Sequence, residues 1–140
     1  LEDKKRKMVV VECTPTLKKV RAAETFENGS IVCTVNSFTS DDMKQYDDAN
    51  GNDYDSHKRY RVVLDSFSSE RIKDEYIETT KHLLKGDYGF ICQYDNEPDF
   101  ETVWSSIFDL DSLVIYRAEG EPRKKKFVTD SRLHDLIRQG

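Results

Sequence analysis

Residues 56–67 read Ser56-His57-Lys58-Arg59-Tyr60-Arg61-Val62-Val63-Leu64-Asp65-Ser66-Phe67. Tyr60, Val63, Leu64 and Phe67 recur at i, i+3, i+4 and i+7, the stripe of an amphipathic helix. Asp55 or Ser56 is a side chain able to cap its start. Before this stretch the apolar residues follow a different period. Met8-Val9-Val10-Val11-Glu12-Cys13 is a short β-prone run that Pro15 ends. Val20 to Phe26 is a weaker strand, Glu27-Asn28-Gly29-Ser30 has hairpin-turn chemistry, and Ile31 to Asn36 returns as a strand. The return strand alternates, with Ile31, Cys33 and Val35 on one face and Val32, Thr34 and Asn36 on the other.

Downstream, a second helix carries Ile72, Tyr76, Ile77, Thr80, Leu83 and Leu84 inward, with Ser68 or Ser69 as its cap and Gly86 as its stop. The last third is again β-rich. Strands are predicted over Tyr88–Tyr94, Thr102–Phe108, Ser112–Arg117 and Lys126–Thr129, with a terminal helix over Ser131–Arg138. Strands, two helices, then strands is the order of an α+β fold, with helices layered on one face of a largely antiparallel sheet.

The bulk numbers narrow the function classes. The chain has 140 residues, enough for one domain and one core. Its aromatic content of 11% is too high for a disordered chain. A net charge of −5 argues against a nucleic-acid or anionic-membrane partner. The basic clusters Lys4-Lys5-Arg6-Lys7 and Arg123-Lys124-Lys125-Lys126 are not interleaved with aromatics and read as solvated strand ends. No apolar run reaches the ~18 residues of a membrane span. Cys13, Cys33 and Cys92 form no CxxC pair; each lies in an apolar strand pattern, which predicts inert core thiols in a reducing, cytoplasmic compartment. The chain opens on Leu1, from which a fragment or processed subunit is expected.

Metal and cofactor chemistry find no motif. His57, His82 and His134 lack ligand spacing among themselves or with the cysteines. Aligning Gly51 to the invariant glycine of a calcium loop puts Tyr46 and His57 at positions that need oxygen ligands, which they do not supply in the required form. There is no glycine-rich phosphate loop and no GxSxG elbow. Two residues stand out. Asn36 ends a strand, where an amide is either turn chemistry or a fixed donor. Arg59 lies one helical turn before Val63, at the border of the buried stripe, where a guanidinium either snorkels to water or holds an anion or oxyanion.

The runs Val9-Val10-Val11-Glu12-Cys13-Thr14-Pro15, Ile31 to Phe38 (IVCTVNSF), Ser56 to Leu64 (SHKRYRVVL) and Thr102 to Pro122 (TVWSSIFDLDSLVIYRAEGEP) occur in a recognisable order. In that order the chain resembles the C-terminal half of the N-terminal-nucleophile hydrolases of the choloylglycine hydrolase and isopenicillin N acyltransferase type. The resemblance implies part of a four-layer αββα sandwich acting on linear amide C–N bonds. The nucleophile would be a cysteine at the start of the mature chain, with its own α-amino group as base. The implied catalytic residues are Asn36, donating its amide to the tetrahedral oxyanion, and Arg59, lining the site in the pattern Ser56-x-x-Arg59-Tyr60. Ser37 and Phe38 are the implied substrate-binding neighbours. Trp104 reads as sheet core and Gly120 as a turn.

Two differences from the family pattern are visible. Val35 stands where a threonine usually precedes the asparagine, and no cysteine occupies position 1. The expectation is therefore a single-domain C-terminal half, inactive alone, whose partners are a small-molecule amide, the missing nucleophile-bearing half and, across an uncovered sheet, a second copy of itself. No cofactor or metal is expected. A stand-alone α+β binding or scaffold module is the alternative these residues leave open.

Overall fold

The structure is a computed structural model and describes residues 7–27, 29–47, 54–68, 75–93 and 101–132. Among these residues it is α+β, with two α-helices and antiparallel pairing in every sheet. Among the described residues the strands lie in three small antiparallel sheets. The chain forms two compact units, residues 1–73 and 74–140.

In the first unit, β1 (Val9–Cys13) pairs with β2 (Lys18–Ala22) in the register Val10↔Arg21, Val11↔Val20, Glu12↔Lys19. The turn between them follows from Thr14-Pro15. Thr14 Oγ1 accepts from the backbone N–H of Leu17 at 2.9 Å, and the Thr14 N–H donates to the Leu17 carbonyl at 2.8 Å. Proline at the next position presets the turn. Strand alternation then places Val10 and Glu12 inward and Val11 and Cys13 outward. This corrects the reading of Cys13 as a core thiol: it is exposed, and Glu12 takes the inward position.

The second hairpin is shorter than the sequence suggested. β3 (Glu24–Phe26) pairs with β4 (Gly29–Ile31), with Phe26 opposite Gly29. Gly29 has φ 144°, a conformation open to glycine, so the strand restarts at the residue assigned to the turn. The predicted strand over Ile31–Asn36 ends at Ile31. The physical reason is that side chains, not a neighbouring strand, satisfy the backbone that follows. The Cys33 carbonyl accepts from Arg21, and the N–H groups of Phe38, Thr39 and Ser40 donate to the carboxylates of Asp47 and Glu12. The alternation of exposure nonetheless persists from buried Cys33 to exposed Asn36. A 3-10 turn, Lys44–Tyr46, follows the buried Met43. α1 (Ser56–Ser68) begins with the Asp55 carbonyl accepting from the Arg59 N–H at 2.9 Å. Tyr60, Val63, Leu64 and Phe67 are half-buried along it, as the period requires. Of the loop compared above with a calcium loop, residues 48–53 lie outside the described residues.

In the second unit, α2 (Tyr76–Lys85) stops at Gly86 in the left-handed conformation, φ 84°. The proposed start at Ile72 and the cap at Ser69 lie outside the described residues; Ser68, the other proposed cap, instead ends α1, and α2 starts after Glu75 with no side-chain cap. Leu83 and Thr79 are its buried residues, while Tyr76 is exposed. The face is thus centred on the i, i+4 pair Thr79/Leu83, which turns Tyr76 to its edge. No strand forms over Tyr88–Gln93. Gly89 turns back to donate to the Gly86 carbonyl, and Cys92 Sγ donates to the Leu84 carbonyl at 3.3 Å, so this segment folds onto the helix end.

β5 (Trp104–Asp109), β6 (Val114–Glu119) and β7 (Val128–Thr129) form the third sheet in that order. The β5–β6 turn is held by Asp109, whose Oδ1 accepts from the N–H groups of Asp111 and Ser112 at 3.1 and 3.2 Å. That Asx turn delays β6 to Val114. Ser105, Ile107 and Ala118 are buried. Trp104, expected in the core, is half exposed, and the Arg117 guanidinium lies 4.3 Å from its ring centroid. Arg123 and Lys124 pair with Glu121. The terminal helix predicted to Arg138 lies almost wholly outside the described residues. Among the described residues, no helix is long and apolar enough to cross a membrane.

Candidate active site

A cavity of about 250 Å³ opens in the first unit. Its walls come from β1 (Val10 to Cys13), from Arg21 on β2, from the loop Thr34–Thr39 and from Asp47. Asn36, Ser37 and Phe38, the three loop residues singled out in the sequence, all line it. Asn36 is exposed, while Ser37 and Phe38 are half-buried.

Arg59 reaches this loop from the first turn of α1. Its Nη2 donates to Asn36 Oδ1 at 2.7 Å and to Ser56 Oγ at 3.3 Å. Its Nε donates to the Tyr54 carbonyl at 3.0 Å. Helix geometry explains the spacing. Ser56 and Arg59 are i, i+3 neighbours on one face, so the buried hydroxyl of Ser56 braces the guanidinium. An arginine is a donor only, so the Asn36 atom facing it must be the oxygen. Among the described residues the Nδ2 group makes no hydrogen bond, so its two N–H donors are left available. Arg59 therefore does more than border the apolar stripe: it fixes which way the Asn36 amide is turned.

A second arginine was not singled out in the sequence. Arg21 Nη1 donates to Tyr60 Oη at 3.3 Å, its Nη2 donates to the Cys33 carbonyl, and its guanidinium lies 5.6 Å from the Tyr60 ring centroid. Its Nε is 3.7 Å from Glu12 Oε1 and makes no hydrogen bond among the described residues. Glu12 is 8% exposed. Its Oε1 accepts from Thr39 N at 2.9 Å and Thr39 Oγ1 at 2.6 Å, and its Oε2 accepts from Ser40 N at 3.1 Å. Burial by itself pushes this carboxyl up; the hydrogen bonds from Thr39 and Ser40 outweigh it and hold the group down at about 2. The only sequence signal for Glu12 and Arg21 was a charge at an inward strand position on each side of the Thr14-Pro15 turn.

Cys33, at the start of the loop, is buried. Burial pushes its thiol up, against the smaller opposing influence of Arg21 and Arg59, so it remains protonated at neutral pH. Cys92 is half-buried on the Leu84 carbonyl. Tyr60 is shifted upward as well, by burial first, and its hydroxyl donates to Glu24 at 3.4 Å. Among the described residues no group of three or more His, Cys, Asp or Glu side chains converges as a metal site.

Comparison with protein families gives the class. Residues 1–124 match the family described as acyl-coenzyme A:6-aminopenicillanic acid acyl-transferase, a group of acyltransferases and related hydrolases. The chain belongs to this family, which is the isopenicillin N acyltransferase and choloylglycine hydrolase type to which its motif order points. No curated protein and no solved structure matches the chain.

Proposed function

We propose that the chain is the C-terminal part of a cysteine-nucleophile hydrolase or acyltransferase acting on linear amide C–N bonds. In this reading Asn36 Nδ2 donates to the oxyanion that forms when a thiolate adds to the amide carbonyl. Arg59, which is not among the residues lining the cavity, holds Asn36 in that orientation. Ser37 and Phe38 border the bound substrate. The thiolate and its base come from a half N-terminal to this chain, which alone is inactive.

The observation that supports this most directly is the 2.7 Å hydrogen bond from Arg59 to Asn36 Oδ1. A tetrahedral intermediate needs a donor already aimed, because reorienting a dipole during the reaction would cost part of the stabilisation. An amide whose oxygen accepts from a guanidinium keeps its N–H groups available as donors. A turn asparagine would instead direct its oxygen to nearby backbone N–H groups. The two thiols nearest the loop agree with an external nucleophile. Cys33 is buried and protonated, and exposed Cys13 has no histidine among the other residues lining the cavity.

The test uses the active protein that contains this chain, assayed with a panel of N-acyl p-nitroanilides. Asn36→Ala is expected to lower kcat by about 10²-fold, the loss typical of one oxyanion donor. Arg59→Ala is expected to lower kcat as well. The double variant should be no slower than Asn36→Ala by more than a few-fold, because Arg59 acts through Asn36. Unchanged turnover in both single variants, with both proteins folded, would remove the assignment.

A further inference from the structure

We infer that Glu12 and Arg21 are positioning residues for Asn36: together they pin both ends of the loop Cys33–Ser40 and so set where the Asn36 amide is carried. The inference rests on the reading of Asn36 as the oxyanion donor and adds two residues on a different element to that site.

Glu12 lies opposite Lys19, and Arg21 lies opposite Val10, so Glu12 and Arg21 are diagonal neighbours on one face. Lys19 does not neutralise Glu12; it turns outward to Asp42 at 2.7 Å. A valine at position 12 would satisfy the hairpin without desolvating a charge, and replacing a buried ion pair by apolar side chains is often neutral or stabilising. What a valine lacks is the ability to hold the loop. Glu12 receives two N–H groups and a hydroxyl from Thr39 and Ser40, and hydrogen bonds to an ionised acceptor are the stronger kind. Arg21 holds the other end at the Cys33 carbonyl.

Between those anchors lie Thr34 to Phe38, the stretch that lines the cavity. Among the described residues no strand pairs with it, so its path depends on the side chains that hold it. Arg21 also ties the loop to the helix that carries Arg59. Its Nη1 donates to the hydroxyl of Tyr60, the residue next to Arg59 in α1. The loop bearing Asn36 and the helical turn bearing Arg59 are thus both referenced to one hairpin face. The 2.7 Å bond between Arg59 and Asn36 requires such a common reference, because each partner sits on a separate segment.

The experiment follows the Asn36 side-chain NH2 resonance in ¹⁵N spectra of the full chain, assigned by its loss in Asn36→Ala. In Glu12→Gln the Thr39 and Ser40 amides and the Asn36 NH2 should all shift or broaden, while resonances of residues 104–119 stay in place. Thr39→Val removes one Glu12 hydrogen bond from the loop side without touching the hairpin, and should give the same pattern at smaller amplitude. It decides the matter if Glu12→Gln does not fold.

In the active protein with N-acyl p-nitroanilides, Glu12→Gln should lower kcat at least tenfold with KM within about twofold. Combined with Asn36→Ala, it should add little. Movement of the Thr39 and Ser40 amides with an unmoved Asn36 NH2 would overturn the inference, as would a fully additive double variant. If Asn36→Ala leaves turnover intact, the oxyanion reading fails by itself, and the resonance measurements still judge the loop clamp separately.

Discussion

Acidification should remove a definable part of this protein's stability through Glu12. The carboxyl is buried, which disfavours its charged form, yet three hydrogen bonds from Thr39 and Ser40 hold it at about 2 against an ordinary value of 4.5. A carboxyl whose folded value is depressed contributes stability that is fully present above its unfolded value. That contribution is lost as pH falls through the folded value. The window is therefore from about pH 5 down to about pH 2. The distance from 4.5 to about 2, at ~1.4 kcal/mol per tenfold change in proton affinity, corresponds to about 3 kcal/mol.

The assay is urea unfolding of the wild type and Glu12→Gln at steps from pH 7 to pH 2.5. Other carboxylates titrate in both proteins and cancel in the difference. The wild type should begin more stable at pH 7 and lose most of its advantage over Glu12→Gln by pH 2.5. Parallel profiles, with a constant gap between them, would show that the folded protein does not hold Glu12 ionised against burial, and the reasoning would fail.

Other outcomes follow from single positions. With an exposed thiol reagent, Cys13 should react first, Cys92 more slowly, and Cys33 only on unfolding, as read by mass spectrometry of partially labelled protein. Equal labelling of Cys13 and Cys33 would contradict the inward placement of Glu12 over Cys13. Gly86→Ala should destabilise the protein by roughly 1–2 kcal/mol in thermal melts, because φ 84° is left-handed and the new Cβ would lie 3.3 Å from the Gly89 carbonyl oxygen. A melt unchanged by Gly86→Ala would show that α2 does not end in the conformation described.

Much of the architecture was legible in one dimension because periodicity is a local property. The stripe Tyr60, Val63, Leu64, Phe67 and the stop at Gly86 located both helices. Thr14-Pro15 closed the first strand, and the strand pairs of the last third differ from expectation only by shifts at their ends. The failures have one physical origin. The segments Ile31–Asn36 and Tyr88–Gln93 have strand-like composition, but a strand also needs a partner edge, and sequence does not say where that edge is. In the first segment Arg21 takes the Cys33 carbonyl, while Asp47 and Glu12 hold the N–H groups of Phe38 to Ser40 just beyond it; in the second, Cys92 bonds the end of α2 and Gln93 bonds Thr102.

At the site, the sequence determined which residue types were available and roughly which loop carried them. Asn36, Ser37 and Phe38 fell together on the cavity wall because they are consecutive, and Ser56 braces Arg59 because they are one helical turn apart. Only the tertiary structure decided that Arg59 meets Asn36, 23 residues away, and that Glu12 rather than Cys13 faces inward. Strand alternation offers two equivalent choices for Val9 to Cys13, and hydrophobicity alone favours Val9, Val11 and Cys13. The other face was taken because Arg21 and the donors of Thr39 and Ser40 make an ionised Glu12 better solvated inside the fold than an unpartnered glutamate would be. That difference depends on charges brought close by folding, a quantity that has no counterpart along the chain.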